Sequence, residues 1–136
     1  MVKVNRKEAE PMKEGYVDNS FASLYYKEMG QGMPLIMLHG NGESHEIFAR
    51  LSELMSRYYR VILMDSRGHG SSLMRGDAAR GDLTISDMAA DVVQVMEFLH
   101  VPRAVILGFS DGANVALETA SCYPGRVSAV VAVSGN

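Results

Sequence analysis

Tryptophan is absent from this 136-residue chain, and Cys122 is its only cysteine. A single thiol excludes an internal disulfide and any metal cluster built on cysteine, so no metal site is expected. No apolar run approaches the roughly 20 residues that a membrane-spanning helix needs. Residues 1–15 alternate charged and polar side chains without an apolar h-region, which argues against a secretory signal. Positive charge is scarce as well. The net charge is −3 and no basic stripe occurs, so a nucleic-acid backbone has little to hold. These absences leave a soluble cytoplasmic protein, with neither membrane nor nucleic acid as partner, as the expectation.

What is present is an ordinary globular composition, 47% hydrophobic. A chain of this length buries roughly two thirds of its unfolded surface, enough for one core and not for two. The 13 glycines fall mostly at the ends of apolar runs, where tight turns are wanted. Ten methionines, among them Met37, Met64, Met88 and Met96, occupy apolar positions and read as core filler.

Residues 1–12 form a polar lead-in, and one domain is expected over 13–136. Lys13 to Val17 and Phe21 to Glu28 flank Asp18-Asn19 and read as a hairpin. The apolar run Leu35-Ile36-Met37-Leu38 then stops at His39-Gly40-Asn41-Gly42. Ser44 can cap a helix in which Ile47, Phe48, Leu51, Leu54 and Met55 recur at helical spacing. A second run, Val61 to Met64, ends in Asp65-Ser66-Arg67-Gly68-His69-Gly70-Ser71-Ser72. The polar stretch Met74 to Asp82 contains Arg-Gly-Asp twice and reads as a solvated loop. Thr84 and Asp87 make a capping-box pattern ahead of the clearest amphipathic helix. Its inner face is Ile85, Met88, Ala89, Val92, Met96 and Leu99; Asp87, Asp91, Gln94 and Glu97 mark the outer one. Ala104 to Leu107 reads as a strand, Ala113 to Cys122 as a helix, and Val127 to Val133 as a last strand.

From residue 34 onward, strands and helices alternate, and the strands are continuous apolar runs rather than alternating ones. Both faces of the sheet are therefore expected to be covered, as in a parallel sheet with helices on each side. Ligands of such sheets bind beyond the carboxyl ends of the strands, where residues 39–43, 65–72 and 108–112 all fall. The last of these is Gly108-Phe109-Ser110-Asp111-Gly112, a Gly-x-Ser-x-Gly between a strand and a helix. That is the setting of a nucleophile elbow, in which a strained turn exposes a serine hydroxyl above the sheet. Gly108 and Gly112 let strand and helix approach closely. The alternative is an ordinary turn in which Ser110 caps the helix.

Taken together and in order, His39-Gly40-Asn41-Gly42, Asp65 to Ser72 and Gly108 to Gly112 resemble the three N-terminal signatures of the α/β-hydrolase superfamily. The resemblance covers the chain from about residue 13. It implies an α/β fold with a mostly parallel sheet, helices on both faces and an N-terminal hairpin, truncated after about the sixth strand. It also implies that 13–136 is the N-terminal part of such a domain, that no cofactor is used, and that the substrate is a small molecule. Ser110 would be the nucleophile. The backbone N–H of Asp111 would be one oxyanion donor and that of Asn41 the second, with Gly42 as fallback, each worth about 3–4 kcal/mol in the transition state. His39 and Gly40, with Asp65, Arg67 and His69, would be structural, bracing the loops by packing and hydrogen bonds. His45 and His100, at a helix start and a helix end, are expected in solvent.

A serine hydrolase also needs a histidine to take the hydroxyl proton and a carboxylate to orient it. In this family both follow the serine in chain order. After Ser110 the sequence offers only Asp111 and Glu118 as acids, and no histidine. The reading is therefore a serine hydrolase acting on an ester, thioester, lactone or related carbonyl compound through an acyl-serine intermediate, with an incomplete triad in this chain. Carbon–carbon bond hydrolases share the signatures. Dehalogenases and epoxide hydrolases fit less well, because the elbow carries serine. The alternatives are a non-catalytic half-domain that binds or assembles, or a nucleotide-binding parallel-sheet protein. The apolar last strand would form an open edge, which implies self-association or a complementing C-terminal half.

Overall fold

The computed structural model describes residues 12–76 and 83–133. All but one of the residues in the expected polar lead-in, and the second Arg-Gly-Asp, lie outside them. The N-terminal hairpin pairs β1 (Lys13–Asp18) with β2 (Ala22–Met29), Lys13 opposite Glu28. Asn19 closes its turn, with Oδ1 accepting from the N–H groups of Phe21 at 2.8 Å and Ala22 at 2.7 Å. There follow β3 (Met33–Leu38), a 3₁₀ turn (His45–Phe48) running into α1 (Ala49–Met55), and β4 (Tyr59–Met64). After the short β5 (Leu73–Met74) come α2 (Ile85–Phe98), β6 (Ala104–Phe109), α3 (Asp111–Cys122) and β7 (Val127–Val133).

The sheet order is β1-β2-β4-β3-β6-β7, with β5 alongside β2. Strands β4, β3, β6 and β7 run parallel, and the hairpin joins antiparallel through β2. This is the mostly parallel α/β sheet with an N-terminal hairpin that the sequence implies. β5 is an addition. Its two residues pair with Ala22 and Ser23, too short a strand to show any period.

Two packed layers hold the sheet. On one face Ile36, Leu38, Ile62, Met64 and Ile106 meet Val92 and Met96 of α2 and Val115 and Ala116 of α3. On the other, Leu35, Met37, Val61 and Leu63 meet Phe48 and, in part, Met55. Thr84 caps α2 by accepting from the Asp87 N–H at 3.1 Å. Among the described residues no helix is long and apolar enough to cross a membrane.

Two expectations need correction. Asp91 does not lie on the solvent face of α2; it is buried, because Arg67 reaches it from the loop after β4. Across the 3₁₀ turn and α1 the inward line is Phe48, Ser52 and Met55, whereas Ile47, Leu51 and Leu54 stand exposed. The helix packs on β4 and the 3₁₀ turn before it on β3, and a single strip of their surface turns inward. By contrast, β7 is the apolar open edge strand that the sequence implies, with Val131 45% and Val133 40% exposed. Its apolar composition reports which residues could be covered, and among the described residues nothing covers that face.

Candidate functional site

Register brings the site together. Leu38 stands opposite Met64 on one side and Gly108 on the other, so β3, β4 and β6 release His39, Asp65 and Phe109 at one level of the sheet edge. Ser110 follows Phe109 directly, at φ 56° and ψ −119°. Few residues with a Cβ adopt positive φ, and the surrounding structure must hold this one there. The Ser110 N–H donates to the Val133 carbonyl at 2.9 Å, and the Ser110 carbonyl accepts from Ala113 N–H at 2.9 Å. Its side chain makes no capping bond to α3. The helix-cap alternative therefore fails: the hydroxyl is left available for other chemistry.

The flanking glycines are required by space. A Cβ on Gly108 would overlap the Gly112 carbonyl, and one on Gly112 would overlap the carbonyls of Leu38 and His39. Strand β6, helix α3 and the end of β3 thus meet backbone to backbone beneath Ser110. Asp111 is the first residue of α3, so its N–H has no acceptor within the helix and lies at the positive end of the helix dipole.

Across the site, the Gly40 N–H donates to Glu43 Oε1 at 2.9 Å. Asn41 N–H, the next donor along the loop, is exposed, and no described group accepts from it. Gly42 sits at φ 74°, a left-handed position suited to glycine. His39 is buried with Nδ1 2.7 Å from the Gly40 carbonyl, while Nε2 accepts from the Ser66 N–H at 2.9 Å. Those partners require the neutral ring with its proton on Nδ1, and burial lowers its pKa.

The second loop is braced from within. Asp65 is fully buried and accepts from Ser71 N–H at 2.9 Å and from His45 N–H at 2.7 Å. His45 Nδ1 lies 2.8 Å from the same carboxylate, so His45 is tied to the loop rather than left in solvent. Arg67 makes a two-pronged contact with Asp91, at 3.0 Å and 2.9 Å, and Asn19 adds a third donor at 3.1 Å. His69 places Nδ1 3.0 Å from the Arg67 carbonyl and Nε2 3.2 Å from Asn41 Oδ1, linking the two loops. None of the hydrogen bonds of these histidines reaches Ser110. Sequence reasoning set His45 in solvent and Asp91 on the outer face of α2, because each finds its partner 20 or more residues away. It also passed over Glu43, whose only local signal was its place in the glycine-rich loop.

Among the described residues, no group of three or more His, Cys, Asp or Glu side chains is placed to hold a metal. A cavity of about 270 Å³ lies under α1, lined by residues including Met29, His45, Ala49 and Leu63. Ser110 is not among them.

A strained serine between two obligatory glycines, at the carboxyl edge of a mostly parallel sheet, defines a class, and comparison with known proteins agrees. Residues 33–136 match the alpha/beta hydrolase fold family, and the chain belongs to it. It is 33% identical over 115 residues to the pimeloyl-[acyl-carrier protein] methyl ester esterase of Aliivibrio fischeri, covering 84% of this chain and 41% of that protein. It is 32% identical over 128 residues to the proline iminopeptidase of Neisseria meningitidis, covering 90% and 40%. Among solved structures, Est816, an N-acyl homoserine lactone degrading enzyme, superimposes with a TM-score of 0.82 at 31% identity, covering 89% of this chain and 45% of that one. The chain therefore spans about two fifths of the length of the relatives it matches.

Proposed function

We propose that this chain carries the nucleophile and the oxyanion donors of a serine hydrolase acting on an ester, thioester, lactone or related small carbonyl compound. The observation that carries this reading is Ser110, held at positive φ with its hydroxyl uncommitted between Gly108 and Gly112. In the reaction, Ser110 Oγ bonds to the carbonyl carbon and the carbonyl π pair moves onto oxygen. The N–H groups of Asp111 and Asn41, with Gly42 as fallback, stabilise that oxyanion. Its collapse expels the alcohol or thiol and leaves an acyl-serine, which water then cleaves. No cofactor takes part in these steps.

The hydroxyl proton needs a base. His39, His45 and His69 have other partners, and no histidine follows Ser110. The base and its orienting acid therefore come from a complementing C-terminal segment. A non-catalytic binding or assembly module is the second reading, favoured by that same lack of a base near Ser110.

Incubation of the 136-residue chain with a fluorophosphonate, read by intact mass, tests the proposal. A single adduct is expected, absent in Ser110→Ala, forming several orders of magnitude more slowly than with a complete triad. A folded chain that takes no adduct at saturating probe would favour the binding module.

A further inference from the structure

Glu43 closes the loop leaving β3, its N–H donating to the Gly40 carbonyl at 3.3 Å while its Oε1 accepts the Gly40 N–H. A Cβ on Gly40 would approach that carboxylate oxygen to less than 3.0 Å and lie 3.1 Å from Ser110 Cβ. Glu43 Oε1 and Ser110 Cβ thus surround one point and are separated by about 6 Å at most, the sum of the two distances. The described residues make five ion pairs, and Glu43 belongs to none of them. Arg67, the guanidinium of the neighbouring loop, is committed to Asp91. His39 is buried between the Gly40 carbonyl and the Ser66 N–H. A half-buried carboxylate, paired with no cation among the described residues, therefore stands beside the serine.

On the serine-hydrolase reading, which this inference presupposes, that charge acts on whatever acyl group occupies Ser110. We propose that Glu43 sets the charge selectivity of the site, favouring substrates with an ammonium group near the scissile carbonyl and rejecting those with a carboxylate there. At about 6 Å and an effective dielectric of about 40, one unit charge changes binding or rate by about tenfold. Attraction and repulsion together separate cationic from anionic acyl groups by about a hundredfold. The same carboxylate opposes the oxyanion of every substrate alike, so it lowers rates without altering the choice. One of its oxygens already receives the Gly40 N–H, and the other remains for the ammonium group.

Two fluorophosphonates of one shape test this, one ending in trimethylammonium and the other in its neutral tert-butyl isostere. The ratio of their labelling rate constants is expected near ten in the wild type and near one in Glu43→Gln, which keeps an acceptor for the Gly40 N–H. Glu43→Asp, which keeps the charge, should keep the preference. An unchanged ratio in Glu43→Gln overturns the proposal. So does equal silencing of both probes, which would mean that the carboxylate acts on Ser110 itself. If neither probe labels the wild type, the hydrolase reading fails, and charge selection is read from binding instead. Tetramethylammonium should then shift the Gly40 and Asp111 amide resonances saturably, and Glu43→Gln should abolish the shifts. No shift in the wild type would overturn the proposal on its own.

Discussion

His39 illustrates how one buried side chain ties the loops of the site to pH. Its neutral ring bridges the Gly40 carbonyl and the Ser66 N–H, so a second proton would break the bond at Nε2. Burial holds its folded pKa below the ordinary value of about 6.5. Below that value the unfolded chain takes up a proton that the folded chain refuses. This contribution is complete above about pH 6.5 and is lost as pH falls through the folded pKa. The urea midpoint should therefore drop on acidification from pH 7 to 5, and His39→Gln should flatten the dependence. Equal slopes in the two proteins would remove His39 as the cause. Residues at this scale were legible where their reasons are local. The turn around Ser110 needs glycines at fixed offsets, and a short word of sequence carries that requirement. His45 was not legible, because helix position suggests solvent and only the folded chain brings Asp65 to it.

Among the elements, α2 was the most legible and also the most misleading in one detail. Its cap and its inner stripe follow from spacing alone. Asp91 interrupts the polar face as a buried anion, 2% exposed, holding Arg67 by two hydrogen bonds and Asn19 by a third. That carboxylate joins α2, the loop after β4 and the hairpin turn, three parts that touch the sheet separately. Removing one partner of a buried pair strands the other, at about 3–5 kcal/mol. Asp91→Ala should lower unfolding free energy by that amount in urea titration, far more than Gln94→Ala on the exposed side of the same helix. A loss below 1 kcal/mol would show the pair to be dispensable. No periodicity announces such a residue, since its partner is set by tertiary structure. The apolar positions of α1 misled for the opposite reason. Spacing marks every residue that could be covered, and the packing against β3 and β4 uses only one strip.

For the whole molecule, β7 dominates. It pairs on one side with β6, its other edge is unpaired among the described residues, and it exposes Val131 and Val133. An apolar open edge is a template for another chain. The chain by itself should therefore sediment as a dimer or larger species. Val131→Lys, a charge on the exposed face of the edge, should shift it toward monomer. A wild type that sediments as a monomer at tens of micromolar would contradict this. The parallel pairing was legible in the alternation of runs and helices, and the last strand was expected at an open edge, but the order in which the strands lie side by side was not legible. Every run in such a sheet is apolar whether or not a neighbour arrives. The carbonyl of Val133, at the far end of this strand, receives the amide of Ser110. Strand ends are the first parts of a sheet to fray. The posture of the serine is thereby tethered to the open edge of the sheet, and any chain that clamps β7 also steadies the reacting group.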